Sequence, residues 1–407
     1  AARPDKPAVI GDANIALHYD PAQLNPAAFD APTALAQLTF VADTYANSGY
    51  RRPKSDGTLG GDGRIDIYLD ALPPGLYGYC TTDQGKPAEP GHFDVWSFCV
   101  LDNDYAGFTQ HTPLQNLQVT AAHEYYHATQ FAYDIGEDPW FLEATATWAE
   151  DELFTDVNDN AQYLRRSPIT RPSRPIDMFE DGGTFHYGVW IFFRYLTERY
   201  PAKTGALPRL LLEMWQDADS SRGPRKDLYS VQAIDKALKK LGHTTLAAQF
   251  AKFSASTRFP ALFREGLGRY PTKPLERRAN LAAHKTKRFR AKLDHLTSAT
   301  YQLVPGRATR RLQLQFEMAP AAHGSRAVVV VVGRNGKPKP FKIVEVNAKG
   351  MASRTVLFDR TVRAVEVTLV NASTELDDCY QSPPTLISCA GTAAYDNQPA
   401  LLTATTR

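Results

Sequence analysis

The feature that most constrains this chain is the segment His-Glu-Tyr-Tyr-His at residues 123–127. Residues four apart lie on one face of a helix, so His123 and His127 can offer two imidazoles to one metal ion. Glu124 lies beside them, where a carboxylate can take a proton from a water on that ion. The preceding cap and proline, Thr112-Pro113, predict a helix that carries this motif in its interior.

A third ligand is expected from the next predicted helix, which runs from Trp140 to about Phe154. Catalytic zinc takes three protein ligands and keeps one open position. We favour Glu143, because it lies 16 residues past His127 and small residues around it allow close helix approach. Glu150 lies one heptad further on the same face, so it is either a hydrogen-bond partner for an imidazole or the alternative ligand. Two weaker candidates follow on the same helix, Asp151 and Glu152.

These motifs resemble the gluzincins, the zinc metallopeptidases with two histidines and one glutamate as ligands. Three stretches are similar to a group of secreted bacterial metalloproteases, namely Leu101-Asp-Asn-Asp-Tyr, Thr120 to Asp134 and Asp151-Glu-Leu-Phe. The resemblance implies a zincin-like domain in which Zn2+ is held by His123, His127 and Glu143 and Glu124 is the general base.

The same resemblance implies a second donor for the oxyanion, supplied by a later segment. His186 and Tyr187, at the start of an aromatic helix predicted over Phe185 to Tyr200, are the candidates, with Tyr187 slightly preferred. Packing or capping of that helix explains the pair about as well. Thr147 departs from the family, which has an acidic residue four positions beyond the ligand. The aminopeptidase motif of the family is absent, so trimming of amino termini is not implied.

The pattern of the chain predicts an α+β zincin-like domain followed by an all-β sandwich. The first domain is assigned to residues 1–270, with a strand-rich part (1–110) and a helical part (111–270). Lys and Arg are frequent in residues 271–295, which are interpreted as a basic linker. From residue 296 to 407 the period changes to two, as in the alternation of Leu312, Leu314 and Phe316 with polar residues, and this predicts the sandwich.

Cysteine usage and charge bear on the compartment and on partners. The cysteines fall in two close pairs, Cys80 with Cys99 and Cys379 with Cys389, and two short disulfide loops are favoured over four free thiols. Disulfides favour secretion, and the resemblance makes a bacterial source the expectation; the missing initiator Met fits either removal of a targeting segment or trimming. A net charge of +2 gives no reason to expect nucleic acid, and the longest apolar run, Ala327 to Val332, predicts no membrane span.

A calcium site is the weaker metal hypothesis. Asp62-Gly-Arg-Ile-Asp66, preceded by Asp56 and Gly60-Gly61, loosely resembles an oxygen-rich calcium loop. It lacks the closing Glu of an EF-hand, so a plain hairpin turn is favoured over Ca2+. For Asp102-Asn103-Asp104, a turn or a wall of the active-site cleft is likewise favoured over Ca2+.

The sequence therefore predicts a secreted zinc-dependent metalloendopeptidase that acts on a protein or peptide substrate. Two alternatives stay open. The chain could be a binding or adhesion protein that keeps a zincin shell with weak or no activity, or it could be a zinc hydrolase of another amide or ester. The sequence predicts no oligomeric state.

Overall fold

The computed structural model describes residues 2–85, 89–223 and 227–407. Contacts divide the chain into two compact units, Ala1–Gln162 with Arg199–Ala237, and Tyr163–Glu198 with Leu238–Arg407. The helices of the described ranges are α1 (Ala31–Asn47), α2 (Pro113–Phe131), α3 (Pro139–Leu153), α4 (Phe185–Gly188), α5 (Trp190–Arg199), α6 (Arg209–Asp217), α7 (Ser230–Gly242) and α8 (Leu246–Ser256).

The first unit is built on a five-stranded sheet with the order β1-β2-β3-β5-β4. Its central strands β2, β3 and β5 are parallel, while β1 and β4 join the two edges in antiparallel fashion. Parallel pairing needs a long crossover, and α1 supplies it between β2 and β3. The strands of this unit are β1 (Ala8–Gly11), β2 (Ile15–Tyr19), β3 (Ile65–Asp70), β4 (Gly78–Thr81), β5 (Phe98–Asp102), β6 (Lys203–Thr204) and β7 (Leu207–Pro208).

Helices α1 and α2 begin where the caps predict. The Asp30 side chain accepts from the backbone N–H of Thr33, and Thr112 forms a capping box with Gln115, each followed by a proline in the first turn. The two helices pack together, and the hydroxyl of Tyr45 on α1 donates to the carbonyl oxygen of Ala122 at 2.7 Å. Helix α2 also packs on β4 and β5, which leaves it buried along its length from Asn116 onward except at Gln118.

The second unit contains a β-sandwich, as predicted. One sheet has the order β13-β12-β15-β10-β8 and the other β14-β11-β18-β9. Their facing sides bury aliphatic and aromatic residues such as Phe316, Val367 and Leu402. The strands of this unit are β8 (Arg277–Leu281), β9 (Thr286–Leu293), β10 (Thr297–Pro305), β11 (Arg311–Met318), β12 (Ser325–Gly333), β13 (Lys342–Glu345), β14 (Met351–Leu357), β15 (Val362–Asn371), β16 (Leu376–Asp377), β17 (Thr392–Ala393) and β18 (Gln398–Thr406).

The structure corrects the interpretation of residues 271–295 as a linker. This segment contains β8 and β9, which are strands of the sandwich. The basic residues of these two strands are exposed, while Ala279, Leu281, Phe289 and Leu293 are buried in the sandwich core. A strand whose outer face is basic therefore looks like a solvated linker when only composition is considered. Likewise, the helix predicted over Phe185 to Tyr200 is divided into α4 and α5.

Both predicted disulfides are present. Cys80 and Cys99 are directly opposite each other on β4 and β5, so the first bond fastens the edge strand to its neighbour. Cys379 pairs with Cys389 near the carboxyl-terminal end. Among the residues described, no helix has the length and apolar character needed to cross a membrane. The mixed α+β architecture with a sandwich is thus confirmed, while the zincin-like fold of the first domain and its boundaries at 110 and 270 stay predictions.

Candidate functional site

The candidate site is formed by the side chains that α2 and α3 direct toward each other. Oε2 of Glu143 lies 3.2 Å from Nε2 of His123 and 3.4 Å from Nε2 of His127. The ligand atoms of these three residues all lie within 4.8 Å of one another, and no other such group of His, Cys, Asp or Glu occurs in the described part of the chain. The structure therefore brings together the three residues that the spacing singled out.

Hydrogen bonds on the far side of each ring fix the two imidazoles. Nδ1 of His123 lies 2.6 Å from Oε1 of Glu150, and Nδ1 of His127 lies 2.7 Å from Oε1 of Gln130. Both partners are acceptors, so each Nδ1 carries the proton and each Nε2 keeps its lone pair. The lone pairs point toward the Glu143 carboxylate. Three acceptors that face one another need a cation or a proton between them.

Gln130 is a functional residue that the sequence analysis did not single out. Its Nε2 donates to the carbonyl oxygen of Leu142 and to Oγ1 of Thr145, each at 3.0 Å. Both contacts belong to α3, so the amide is held with its oxygen toward His127. A signal was present in the spacing, because Gln130 lies three residues after His127 and therefore on the same helix face.

The charges of the site reflect these contacts. Burial alone would lower the pKa of His123, but its bonds to Glu143 and Glu150 outweigh burial and raise that pKa well above the usual range. Burial would raise the pKa of Glu143, yet the two imidazoles hold it far below its ordinary value. Burial raises the pKa of Glu150 to about 7. Without a metal, the raised pKa of His123 favours a proton between its Nε2 and the Glu143 carboxylate, a position that a cation can take instead.

Glu124 is buried at the same place, facing strand β4. Burial raises the pKa of its carboxyl group, and its Oε2 has no hydrogen-bond partner in the part of the chain that is described. Gly78 lies directly over it, because a Cβ at that position would stand 3.1 Å from Cγ of Glu124 and 2.9 Å from Cγ2 of Thr120. An unpaired buried carboxylate oxygen costs free energy, which marks Glu124 as a candidate functional residue.

His186, Tyr187 and Thr147 are the other residues that the sequence analysis singled out. His186 and Tyr187 belong to the second unit, where Nδ1 of His186 accepts from the backbone N–H of Glu180 at 3.2 Å and Tyr187 stacks on Tyr163. Their role as oxyanion donors stays a prediction. Thr147 is buried on α3, and its Oγ1 has no partner among the described residues.

Arginines pair with the carboxylates of the loop that was considered as the weaker metal hypothesis, a calcium site. Arg3 forms salt bridges with Asp56 (2.6 Å), Asp66 and Asp83 (2.7 Å). Asp62 is bonded to Arg64 at 2.7 Å. These aspartates form no metal-binding group within the described ranges.

Comparisons with known proteins do not assign a family. No family model matches the chain, and no curated protein matches it. Solved structures with partial similarity include the glycosylation-associated Gap123 complex of Streptococcus agalactiae (10% identity, 29% of this chain and 33% of that chain, TM-score 0.17). The pre-peptidase C-terminal domain of a Bacillus anthracis collagenase is 8% identical, over 34% of this chain and 100% of that chain, with a TM-score of 0.20. Tripeptidyl peptidase 2 is 10% identical, over 32% of this chain and 10% of that chain, with a TM-score of 0.22. The match therefore spans a third or less of the first and last of these chains.

Proposed function

We propose that this chain is a secreted zinc-dependent endopeptidase of the zincin class. The observation that carries the proposal is the convergence of two Nε2 lone pairs and one carboxylate oxygen, at 3.2 and 3.4 Å, with both Nδ1 atoms bonded to acceptors. Zinc bonds of about 2.0–2.1 Å at tetrahedral angles place ligand atoms about 3.3–3.4 Å apart. The two distances from Glu143 to His123 and His127 therefore suit this ion.

Each residue has a distinct role in the proposal. When bound, zinc supplies a Lewis acid that polarises a carbonyl and lowers the pKa of water toward neutrality. Glu124 accepts the proton of the attacking water and delivers it to the leaving amine. Glu150 and Gln130 hold the two imidazoles in the tautomer that leaves Nε2 available. His186 or Tyr187 is the proposed oxyanion donor.

Strand β4 supports a peptide as the substrate. It is the last strand of its sheet, with β5 on one side and no strand on the other in the described part of the molecule. A free edge offers backbone donors and acceptors to an extended chain, which can pair with it as an additional strand. Since Gly78 of β4 lies over Glu124, a peptide on this edge would pass close to the general base. The Cys80–Cys99 disulfide holds that edge in place and suits an oxidising compartment.

Metal content and peptide cleavage test the proposal together. We expect about one zinc per chain, and cuts inside peptides of a proteome-derived library that disappear with a chelator and return with zinc. Glu124→Gln should retain zinc and lose about 10²–10⁴-fold in kcat/KM. Glu317→Gln, an identical change at an exposed strand position, is the matched control and should leave the rate unchanged.

Two outcomes would redirect the assignment. Bound zinc without any peptide cleavage would favour the binding protein that keeps a zincin shell. Cleavage of ester or small amide substrates in preference to peptides would favour another zinc hydrolase. If Glu124→Gln cleaves peptides as fast as the unchanged chain, the proposed role of Glu124 is wrong.

A further inference from the structure

A second candidate site lies in the β-sandwich and shares no residue with the metal group. The cleft has a volume of about 980 Å³, near the upper end of the range of about 300–1,000 Å³ for ligand sites. Turns at the ends of several strands form its walls, namely the turn between β10 and β11, the turn after β12 and the turn between β14 and β15. Clustered turns on a rigid sandwich are a common location for binding sites.

The lining of this cleft is strongly basic. It includes five arginines, all exposed: Arg307, Arg310, Arg311, Arg334 and Arg360. In the described part of the chain, none of the five forms an ion pair with a carboxylate. Five like charges around one cavity repel one another, and this repulsion is relieved when an anion binds.

Asp359, the one acidic residue of the lining, offsets only one of the five positive charges. Asp359 accepts hydrogen bonds from the backbone N–H of Thr361 at 2.8 Å and from its hydroxyl at 2.5 Å. Its carboxylate is thereby used to shape the turn between β14 and β15. The cleft therefore keeps an excess of positive charge even though the whole chain has a net charge of only +2.

Hydrogen bonds hold the backbone of the cleft in place. The N–H of Gly306 donates to the carbonyl oxygen of Leu281 at 2.9 Å, and the N–H of Phe358 donates to that of Arg310 at 2.9 Å. Nε of Arg334 donates to the carbonyl oxygen of Arg360, which joins two of the turns. A scaffold fixed in this way lowers the entropic cost of collecting several arginines around one ligand.

The chemistry of the lining identifies the ligand class. Guanidinium groups bind phosphate oxygens in bidentate fashion, and five of them exceed what one phosphate can use. No aromatic side chain lines the cleft, so the stacking surface that single-stranded nucleic acids use is missing. We propose that this cleft binds a ligand that carries several phosphate groups. Soluble polyphosphates and the closely spaced phosphates on the surface of an anionic lipid membrane share that chemistry.

Binding measurements on the full chain test the proposal. The probes are inorganic tripolyphosphate, inositol hexakisphosphate and vesicles of phosphatidylglycerol, with vesicles of phosphatidylcholine as the blank. The cleft variant carries Arg307→Gln, Arg310→Gln and Arg360→Gln. The control variant removes the same charge from exposed positions of β9, by Lys287→Gln, Arg288→Gln and Arg290→Gln. Thermal unfolding checks that both variants fold.

We expect the unchanged chain to bind at least one phosphate probe, with affinity that falls as salt is added. The cleft variant should bind at least about tenfold more weakly, whereas the control variant should stay within about twofold. Binding to soluble probes identifies a soluble ligand, and binding to phosphatidylglycerol vesicles alone identifies a headgroup; either supports the site. Equal losses in both variants, or no binding to any probe at 50 mM salt, would overturn it. Peptidase activity and zinc content do not enter these readouts, so failure of one proposal leaves the other standing.

Discussion

Glu150 on α3 accepts a hydrogen bond from Nδ1 of His123 on α2 at 2.6 Å, although the two residues are 27 positions apart. Glu143, one heptad earlier on the same helix, faces the opposite nitrogen of the same ring. One imidazole is thus held between two carboxylates that have different tasks. The hydrogen bond fixes the tautomer, and the opposite nitrogen is left for a metal.

Removal of the Glu150 carboxylate should weaken metal binding without removing a ligand. We expect Glu150→Ala to lower zinc affinity by about 10–100-fold, because loss of such a partner frees the ring to rotate and lowers its basicity. The loss of zinc affinity should be smaller in Glu150→Gln, since its amide oxygen can still accept a hydrogen bond from Nδ1. Competition with a chromophoric chelator measures the affinity, and Asp156→Ala, at an exposed position nearby, serves as the control. Equal affinity in Glu150→Ala and Asp156→Ala would contradict this role.

Gln130 should orient His127 for metal binding, as Glu150 should orient His123. Gln130→Leu deletes the acceptor for Nδ1 and both contacts to α3, so we expect a loss of zinc affinity of about tenfold or more. Gln118→Leu, on the same helix, removes only the bond to Gln37 and should leave zinc affinity unchanged. Isothermal titration calorimetry with zinc measures the affinity of both variants. A normal affinity in Gln130→Leu would show that the His127 ring is oriented without this amide.

A side chain at position 78 should disturb the general base rather than the metal. In Gly78→Ala the new Cβ would stand 2.9 Å from Thr120 and 3.1 Å from Glu124, which is closer than ordinary contact. We expect an unfolding free energy lower by about 1–3 kcal/mol and a reduced kcat/KM, with one zinc still bound. Gly107→Ala has no atom within 4 Å of its Cβ and is the control. An unchanged kcat/KM would mean that β4 can shift away from Glu124 without consequence.

The second unit should lose stability as the pH rises into the alkaline range. His295 lies buried between Asp177 and Asp396, at 2.9 and 2.8 Å. Burial opposes its charge, but the two carboxylates outweigh burial and raise its pKa to about 10. A raised pKa contributes stability that is fully present below the unfolded value of about 6.5 and is lost as pH rises toward 10.

Urea unfolding of His295→Gln tests this expectation. At pH 6 the variant should be less stable than the unchanged chain by several kcal/mol, and the gap should narrow steadily by pH 10. His284→Asn, at an exposed position, should follow the unchanged chain at both pH values. A gap that stays constant from pH 6 to 10 would show that His295 stabilises the unit through packing alone.

Local signals predicted the local parts of this molecule well. The start of α2 follows from Thr112-Pro113, and the spacing of His123, His127 and Glu143 predicted the group that the two helices assemble. The tasks of Glu143 and Glu150 could not be separated from sequence, because both lie on one face of α3. Only the position of α3 against α2 decides which nitrogen of His123 each carboxylate meets.

Long-range pairing explains what the sequence could not provide. The basic strands β8 and β9 carry Lys and Arg on their outer faces, and only their partners β10 and β18 show that their inner faces are buried. The roles of Gln130 and Gly78 also depend on neighbours from other elements. The spacing places Gln130 on the helix face of His127, but only the position of α3 shows which contacts hold its amide.

Helix α2 is buried on nearly every side, because α1, α3 and the five-stranded sheet pack against it. Most helices keep a solvated face on which substitutions accumulate freely during evolution. Beyond its first turn this one has almost none, so a change at nearly any position from 116 to 131 must be matched by a change in a neighbour. Homologous proteins should therefore conserve the sequence of this helix after the sequence of the sandwich has diverged. Residues 116–131 are the segment by which distant homologues should be recognised.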